Sequence, residues 1–198
     1  MAYSLNPSSD SCYEGTTCLI NKFGVKDEKR LSELEAQITF AKAVLLEATP
    51  IEGAFDFEHF KKIHEFLLCD LYDWAGKVRT VDISKKRTIF LSAASIETTA
   101  ARCFAKIADG YLDNLSFDEF ATRIAEFYKD VNYIHPFREG NGRAQRIYFT
   151  QLIRHYGYDI NFSEVDTDEL MIATIQASQG VLDFLIDFFK ESIVIPEE

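Results

Sequence analysis

His135-Pro136-Phe137-Arg138-Glu139-Gly140-Asn141-Gly142-Arg143-Ala144-Gln145-Arg146 is the stretch from which the rest of this 198-residue chain can be read. Upstream of it, Ser116-Phe117-Asp118-Glu119 has the spacing of a capping box. Behind that box Phe120, Ile124, Phe127, Val131 and Ile134 form an apolar stripe that stops just before His135. The pattern predicts a buried central helix. Pro136 disfavours helical geometry at His135, so the chain leaves the helix there, turns through residues 137–142 and resumes periodicity over 147–155. Two glycines in such a turn leave backbone N–H groups unpaired at a helix N-terminus, which makes a site for an anion. Arg143 and Arg146, three residues apart on the first turns of the next helix, project to the same side and can pair with phosphate oxygens.

Glu139 lies inside that turn. A carboxylate repels phosphate directly, but it suits Mg²⁺ that bridges phosphates. His135 has an ordinary pKa close to neutrality and can take a proton from an attacking hydroxyl. These are the parts of phosphoryl or nucleotidyl transfer. Singly, each has a structural explanation: a His caps a helix end, Gly-x-Gly makes a turn, and two arginines with a glutamate form a surface ion-pair cluster. Their ordered conjunction within twelve residues carries the chemical reading.

Working outward, Leu31, Leu34, Ile38, Ala41 and Leu45 recur at three- and four-residue spacing and predict a helix over 28–47, ended by Pro50 and Gly53. A second helix starts behind Asp56, carries Phe60, Ile63, Leu67, Leu71 and Trp74 on one face, and stops at Gly76. Further helices are expected over 96–112, 168–177 and 181–192. Val81 and Ile83 alternate with polar neighbours, and Ile89-Phe90-Leu91 resumes the apolar run, so a short hairpin is expected within 78–91. Residues 1–27 read as an extended arm, and 28–198 as a single domain without internal repeats.

Composition narrows the classes. Hydrophobic residues at 47% and aromatics at 14% exclude a disordered polymer. With 21 Lys+Arg against 32 Asp+Glu the net charge is −11, which excludes a general grip on nucleic acid. Cys12, Cys18, Cys69 and Cys103 show no metal-ligand spacing and fit reduced thiols in a cytoplasmic protein. No leader-like segment and no membrane-spanning apolar run is visible.

The segment 135–146 resembles the signature of the Fic family, His-x-Phe-x-(Asp/Glu)-Gly-Asn-Gly-Arg-x-x-Arg, at every specified position. Asp70-Leu71-Tyr72-Asp73-Trp74-Ala75-Gly76-Lys77-Val78-Arg79 is similar to the family's helix end leading into a flap, and the likeness covers residues 56–178. The resemblance implies an all-α fold of seven to eight helices with a short β-hairpin flap over 78–91. It implies transfer of AMP from ATP to a hydroxyl side chain of a target protein. In that reading His135 is the base and Glu139 holds Mg²⁺. Gly140, Asn141 and Gly142 form the anion hole. Arg143 and Arg146 bind the β- and γ-phosphates, and Gln176 meets adenine or ribose. The flap, with Val81, Ile83, Lys85, Lys86, Arg87 and Phe90, docks the target as an added strand. Alternatives from the same residues are transfer of another nucleotide or phosphate group, or a nucleotide-binding regulatory module with little catalysis.

Many family members are silenced by a Ser/Thr-x-x-x-Glu-Gly/Asn helix. Here Glu14-Gly15 and Glu52-Gly53 are preceded at that spacing by Asp10 and Ala48, and Glu139-Gly140 belongs to the active loop. The N-terminal run Cys12-Tyr13-Glu14-Gly15-Thr16 resembles bacterial Fic toxins with a separate antitoxin. The resemblance therefore implies a small antitoxin partner whose glutamate meets Arg146, and suggests a type II DNA topoisomerase subunit as target.

Overall fold

The computed structural model describes residues 11–85 and 88–196. Lys86 and Arg87, the first ten residues of the arm and the last two of the chain lie outside the described residues. Among those described there are seven α-helices: α1 (Glu28–Ala48), α2 (Phe57–Leu68), α3 (Ile96–Ala108), α4 (Phe117–Ile134), α5 (Asn141–His155), α6 (Thr167–Ser178) and α7 (Asp183–Ser192). The hairpin is β1 (Ser84–Lys85) against β2 (Thr88–Ile89), antiparallel, with Ser84 opposite Ile89 and Lys85 opposite Thr88. The expected all-α class with a small flap holds.

α4 is the central helix, touching α3, α5, α6 and α7. Its capping box forms as written: Ser116 N–H donates to Glu119 Oε2 at 3.0 Å, and Glu119 N–H donates to Ser116 Oγ at 3.4 Å. Phe120, Ile124, Phe127, Val131 and Ile134 are all buried. Each such side chain removed from water contributes about 1.5–3 kcal/mol, so the stripe fixes where the helix lies and where it ends. One buried cluster runs from Cys12 to Ile193, and the described part of the arm packs on it through Cys12, Cys18 and Leu19. All four cysteines are free thiols. Among the described residues no helix is long and apolar enough to cross a membrane.

Several boundaries differ from expectation for physical reasons. α2 ends at Leu68 rather than running to Gly76, because Leu71 and Tyr72 bend back to hydrogen-bond Leu68 O, at 2.9 and 3.0 Å, and are buried by turns instead. α3 ends at Ala108, although Leu112 beyond it is also buried. α5 begins at Asn141, six residues before Ile147, since its first turns are polar on the side that meets the cavity. The buried seam of α1 is Leu31, Glu35, Thr39 and Leu46, whereas Ala41 and Leu45 face water. Two polar residues occupy the inward face there, and α5 explains why.

Candidate active site

The centre of the site is the residue where α4 stops. His135 takes a left-handed conformation, φ 43° and ψ 61°, which a non-glycine residue holds only when its surroundings impose it. They do so here. Its N–H donates to Val131 O at 3.1 Å, and its carbonyl accepts from Arg79 Nε at 2.9 Å. Pro136 O accepts from Arg79 N–H at 2.8 Å. The ring stacks on Phe90 with centroids 3.7 Å apart. His135 Nδ1 lies 3.0 Å from Asn132 O, and a carbonyl can only accept, so Nδ1 carries the proton and Nε2 the lone pair. Burial pushes the imidazole down to about 3, with Lys85 and Arg79 adding to the shift, so the ring is neutral at pH 7.

The loop behind His135 is held from the core side. Phe137 is fully buried and stacks on His64 at 3.7 Å. The Asn141 amide clamps the same residue from both ends: Oδ1 accepts from Phe137 N–H at 2.8 Å, and Nδ2 donates to Phe137 O at 2.7 Å. The Asn141 side chain is thus spent on the loop itself, and its part in an anion hole is left to its backbone N–H. His64 Nδ1 accepts from Gly76 N–H at 2.9 Å, which leaves Nε2–H to donate to Glu139 O, also at 2.9 Å. Burial, with Arg143 also lowering it, takes this imidazole down to about 4. His64 was missed in the sequence, although its signal was present: a histidine inside the apolar stripe of Phe60, Ile63 and Leu67. Gly140 has φ +78°, and a Cβ there would stand 2.4 Å from Leu68 Cδ1, so any side chain would strain the backbone and displace Leu68.

α5 begins at the open end of this loop. Ala144 is the first amide satisfied in helical fashion, by Gly140 O at 3.0 Å, so the amides before it are aimed out of the helix end. A Cβ on Gly142 would meet nothing closer than Arg146 Nη1 at 3.5 Å, so this glycine keeps the backbone open to a ligand rather than relieving a clash. Arg146 and Gly142 line an open cavity of about 1140 Å³ together with His135. The two arginines differ in company. Arg143 Nη2 is 2.9 Å from Glu35 Oε2 and 3.5 Å from Glu139 Oε1, and its Nη1 donates to Thr39 Oγ1 at 3.2 Å. Arg146 has no carboxylate within 4.0 Å among the described residues.

Burial raises the Glu139 carboxyl, against the pull of the Gly140 N–H that it accepts at 2.9 Å. A single crowded carboxylate beside a helix N-terminus is compatible in its chemistry with Mg²⁺, which takes one or two protein carboxylates and completes its shell with phosphates and water. Among the described residues no cluster of three acidic, His or Cys side chains offers a full protein cage.

The flap forms the opposite wall. Lys85, Thr88, Ile89 and Phe90 line the cavity, while Val81 and Ile83 pack behind it with Phe90. Lys86 and Arg87 lie outside the described residues. Of the expected site residues, His135, Gly142 and Arg146 line the cavity with Lys85 and Phe90; Glu139, Gly140, Asn141, Arg143 and Gln176 do not, whereas Thr174, Ile175, Ser178 and Gln179 do. α6 presents its neighbouring positions inward and turns Gln176 aside.

A model of the Fic/DOC family matches residues 54–153. The chain belongs to the Fic/DOC family. It is 36% identical over 179 residues to the protein adenylyltransferase VbhT of Bartonella schoenbuchensis, a match covering 90% of this chain and 37% of that protein. It is 35% identical over 173 residues to the probable protein adenylyltransferase y4lH of Sinorhizobium fredii, covering 86% and 88%. A crystal structure of the BepC protein of Bartonella tribocorum with bound AMPPNP superposes with a TM-score of 0.88, at 27% identity, over 95% of this chain and 98% of that one. The Fic match begins after α1, so Glu35 and Thr39, which hold Arg143, come from outside it.

Proposed function

We propose that this Fic protein transfers AMP from ATP to the hydroxyl of a Tyr, Ser or Thr side chain on a target protein. The observation that carries the reading is a neutral His135, its Nδ1–H committed to Asn132 O, in one cavity with Gly142 and Arg146 at the start of α5. The names of the relatives and the AMPPNP of the BepC structure support it.

The target hydroxyl gives its proton to His135 Nε2, and its oxygen attacks the α-phosphorus. A new O–P bond forms as the bond from the α-phosphorus to the bridging oxygen breaks. Pyrophosphate departs with the bonding pair, and the proton leaves His135 to it or to water. Glu139 would hold Mg²⁺, which when bound spreads the charge of the α- and β-phosphates. Arg143 and Arg146 serve the β- and γ-phosphates, and Thr174, Ser178 and Gln179 replace Gln176 as candidates to meet the nucleoside. The target lies along the flap as an added strand, fixing its hydroxyl in line. On this reading the reaction runs in the cytoplasm, where ATP is at hand.

Purified chain, Mg²⁺ and a bacterial lysate with α-labelled ATP should yield a labelled protein band, absent with γ-labelled ATP and absent for His135→Ala. Label from γ-labelled ATP would mean phosphate transfer instead. A type II DNA topoisomerase subunit is the first target to test.

Control by an antitoxin belongs to the same reading. Arg146, without a carboxylate of its own among the described residues, suits a glutamate supplied in trans, which would occupy the γ-phosphate position. Co-expression with small neighbouring proteins should find one that binds and stops labelling through a Ser/Thr-x-x-x-Glu-Gly helix. A chain that is inactive alone, with no such protein binding it, overturns this part.

A further inference from the structure

Of the four glutamates on α1 only Glu35 is buried, and it is buried against a charge. Its Oε2 lies 2.9 Å from Arg143 Nη2, and its Oε1 accepts from the Tyr72 hydroxyl. Tyr72 is itself buried and stacked on Trp74 at 4.3 Å, so the carboxylate cannot rotate away. One turn on, Thr39 Oγ1 accepts from Arg143 Nη1 at 3.2 Å and donates to Glu35 O at 2.6 Å. The same Arg143 Nη2 stands 3.5 Å from Glu139 Oε1. One guanidinium thus sits between two carboxylates and closer to the one on α1.

We propose that Glu35 and Thr39 are positioning residues that take up Arg143 from the α1 side, keep it from closing on Glu139, and so leave the Glu139 carboxylate to a divalent cation.

A guanidinium largely removed from water must have a carboxylate partner. Glu139, four residues before Arg143 on the same turn of chain, is the nearest alternative to Glu35. Without Glu35, the short two-bond pair that arginine forms with carboxylate would join Arg143 to Glu139. Charge makes the same point. Glu35, Arg143 and Glu139 together carry −1, the sign that attracts a cation; Arg143 and Glu139 alone sum to zero. Glu35 is therefore worth a unit of negative charge at the metal position without being a ligand. The proposal rests on the nucleotide-transfer reading of the site.

The test is binding rather than turnover. Wild type, Glu35→Gln and Thr39→Val are titrated with Mn²⁺ in the presence of AMPPNP, with free Mn²⁺ read by electron paramagnetic resonance, and metal-free AMPPNP binding is measured by calorimetry. Glu35→Gln should raise the Mn²⁺ midpoint about tenfold, the size of effect that lost partners of metal ligands produce. Thr39→Val should raise it in the same direction by about two- to threefold, as the loss of one neutral acceptor. Metal-free AMPPNP affinity should stay the same or tighten for Glu35→Gln, because a negative charge has gone. A merely structural staple between α1 and α5 predicts that both affinities weaken together, and that result overturns the proposal. Equal Mn²⁺ midpoints in the folded variants overturn it as well. Should Glu35→Gln fail to fold, Thr39→Val decides alone. If wild type binds no AMPPNP with or without Mn²⁺, the nucleotide-transfer reading falls too; if wild type binds and the variants match it, only this inference falls.

Discussion

Residues 135–146 and the hairpin of β1 and β2 face each other across one cavity, yet they are held in different ways. The loop is fixed by buried groups on every side: Phe137 against His64, Asn141 on the Phe137 backbone, Gly140 against Leu68. The hairpin has two residues per strand and a small cluster of its own, Ile83 and Phe90 with Val81. Arg79 joins the two, buried beneath them, with its guanidinium bonded to the carbonyls of His135, Val81 and Leu91. The wall that needs a geometry good to fractions of an ångström is over-determined by the core. The hairpin wall is held by fewer groups: Arg79 beneath it, Phe90 on the His135 ring, and Asp82 accepting from Ala93 N–H at 2.7 Å.

The hardest blow to this contrast is the loss of His135. If the loop wall carries the chemistry, His135→Ala should cut AMP transfer about 10²- to 10⁴-fold, the usual worth of a general base, while AMPPNP binding measured by calorimetry is kept. The next is Gly140→Ala. A methyl group at φ +78° and 2.4 Å from Leu68 Cδ1 adds backbone strain to overpacking, so the variant should lose about 3 kcal/mol in urea unfolding. An alanine at Gly142, whose Cβ would make only an ordinary contact with Arg146 Nη1 at 3.5 Å, should cost little stability and chiefly weaken nucleotide binding.

The same contrast explains what could be read in advance. The loop was legible because its chemistry sits in consecutive residues and the flanking stripe of Phe120 to Ile134 has strict helical spacing. α1 was placed correctly along the chain but turned wrongly about its axis. Its apolar residues suggested a seam through Ala41 and Leu45, whereas Glu35 and Thr39 face inward because Arg143 and Tyr72 wait there. A buried polar seam is invisible to hydrophobic periodicity when its partners lie 37 and more than 100 residues further on. Apolar spacing alone carries α2 past its end at Leu68, because Leu71 keeps that spacing in a turn as well as in a helix. Gln176 is the polar residue that type alone picks out on α6, whereas the helix's rotation gives the positions on the cavity to Thr174 and Ile175.

Acid should act on the loop wall, where His135 and, behind it, His64 are held neutral by burial; His59, lowered in the same direction, lies apart against Ile51 and Phe55. His64 and His135 are neutral in the folded protein down to about 4 and about 3, while in the unfolded chain they protonate near 6.5. The unfolded state therefore binds protons first as pH falls. The stability they contribute is complete above pH 6.5 and is lost as pH drops through that value toward 4. Each should remove about 1 kcal/mol between pH 7 and 5.5, seen as a fall in the urea midpoint. His64→Gln should flatten that slope without abolishing it, because glutamine cannot take up the proton while His135 and His59, both lowered by burial, still do.

The smallest energetic effect comes from the other wall and sharpens the comparison most. Ile89 on β2 is 78% exposed at the edge of the hairpin and lines the cavity. A large apolar side chain held in water on a two-residue strand adds little to folding, so Ile89→Asn should change stability by less than about 0.5 kcal/mol. If the hairpin is a docking edge, that side chain is covered when a target strand pairs with it. Burying it contributes on the order of 1–2 kcal/mol to the encounter. Ile89→Asn should therefore raise KM for the protein target about tenfold while AMPPNP affinity and kcat at saturating target stay within twofold. A fall in kcat with unchanged KM would instead tie Ile89 to the geometry of His135 through its neighbour Phe90, and the division of labour between the two walls would fail.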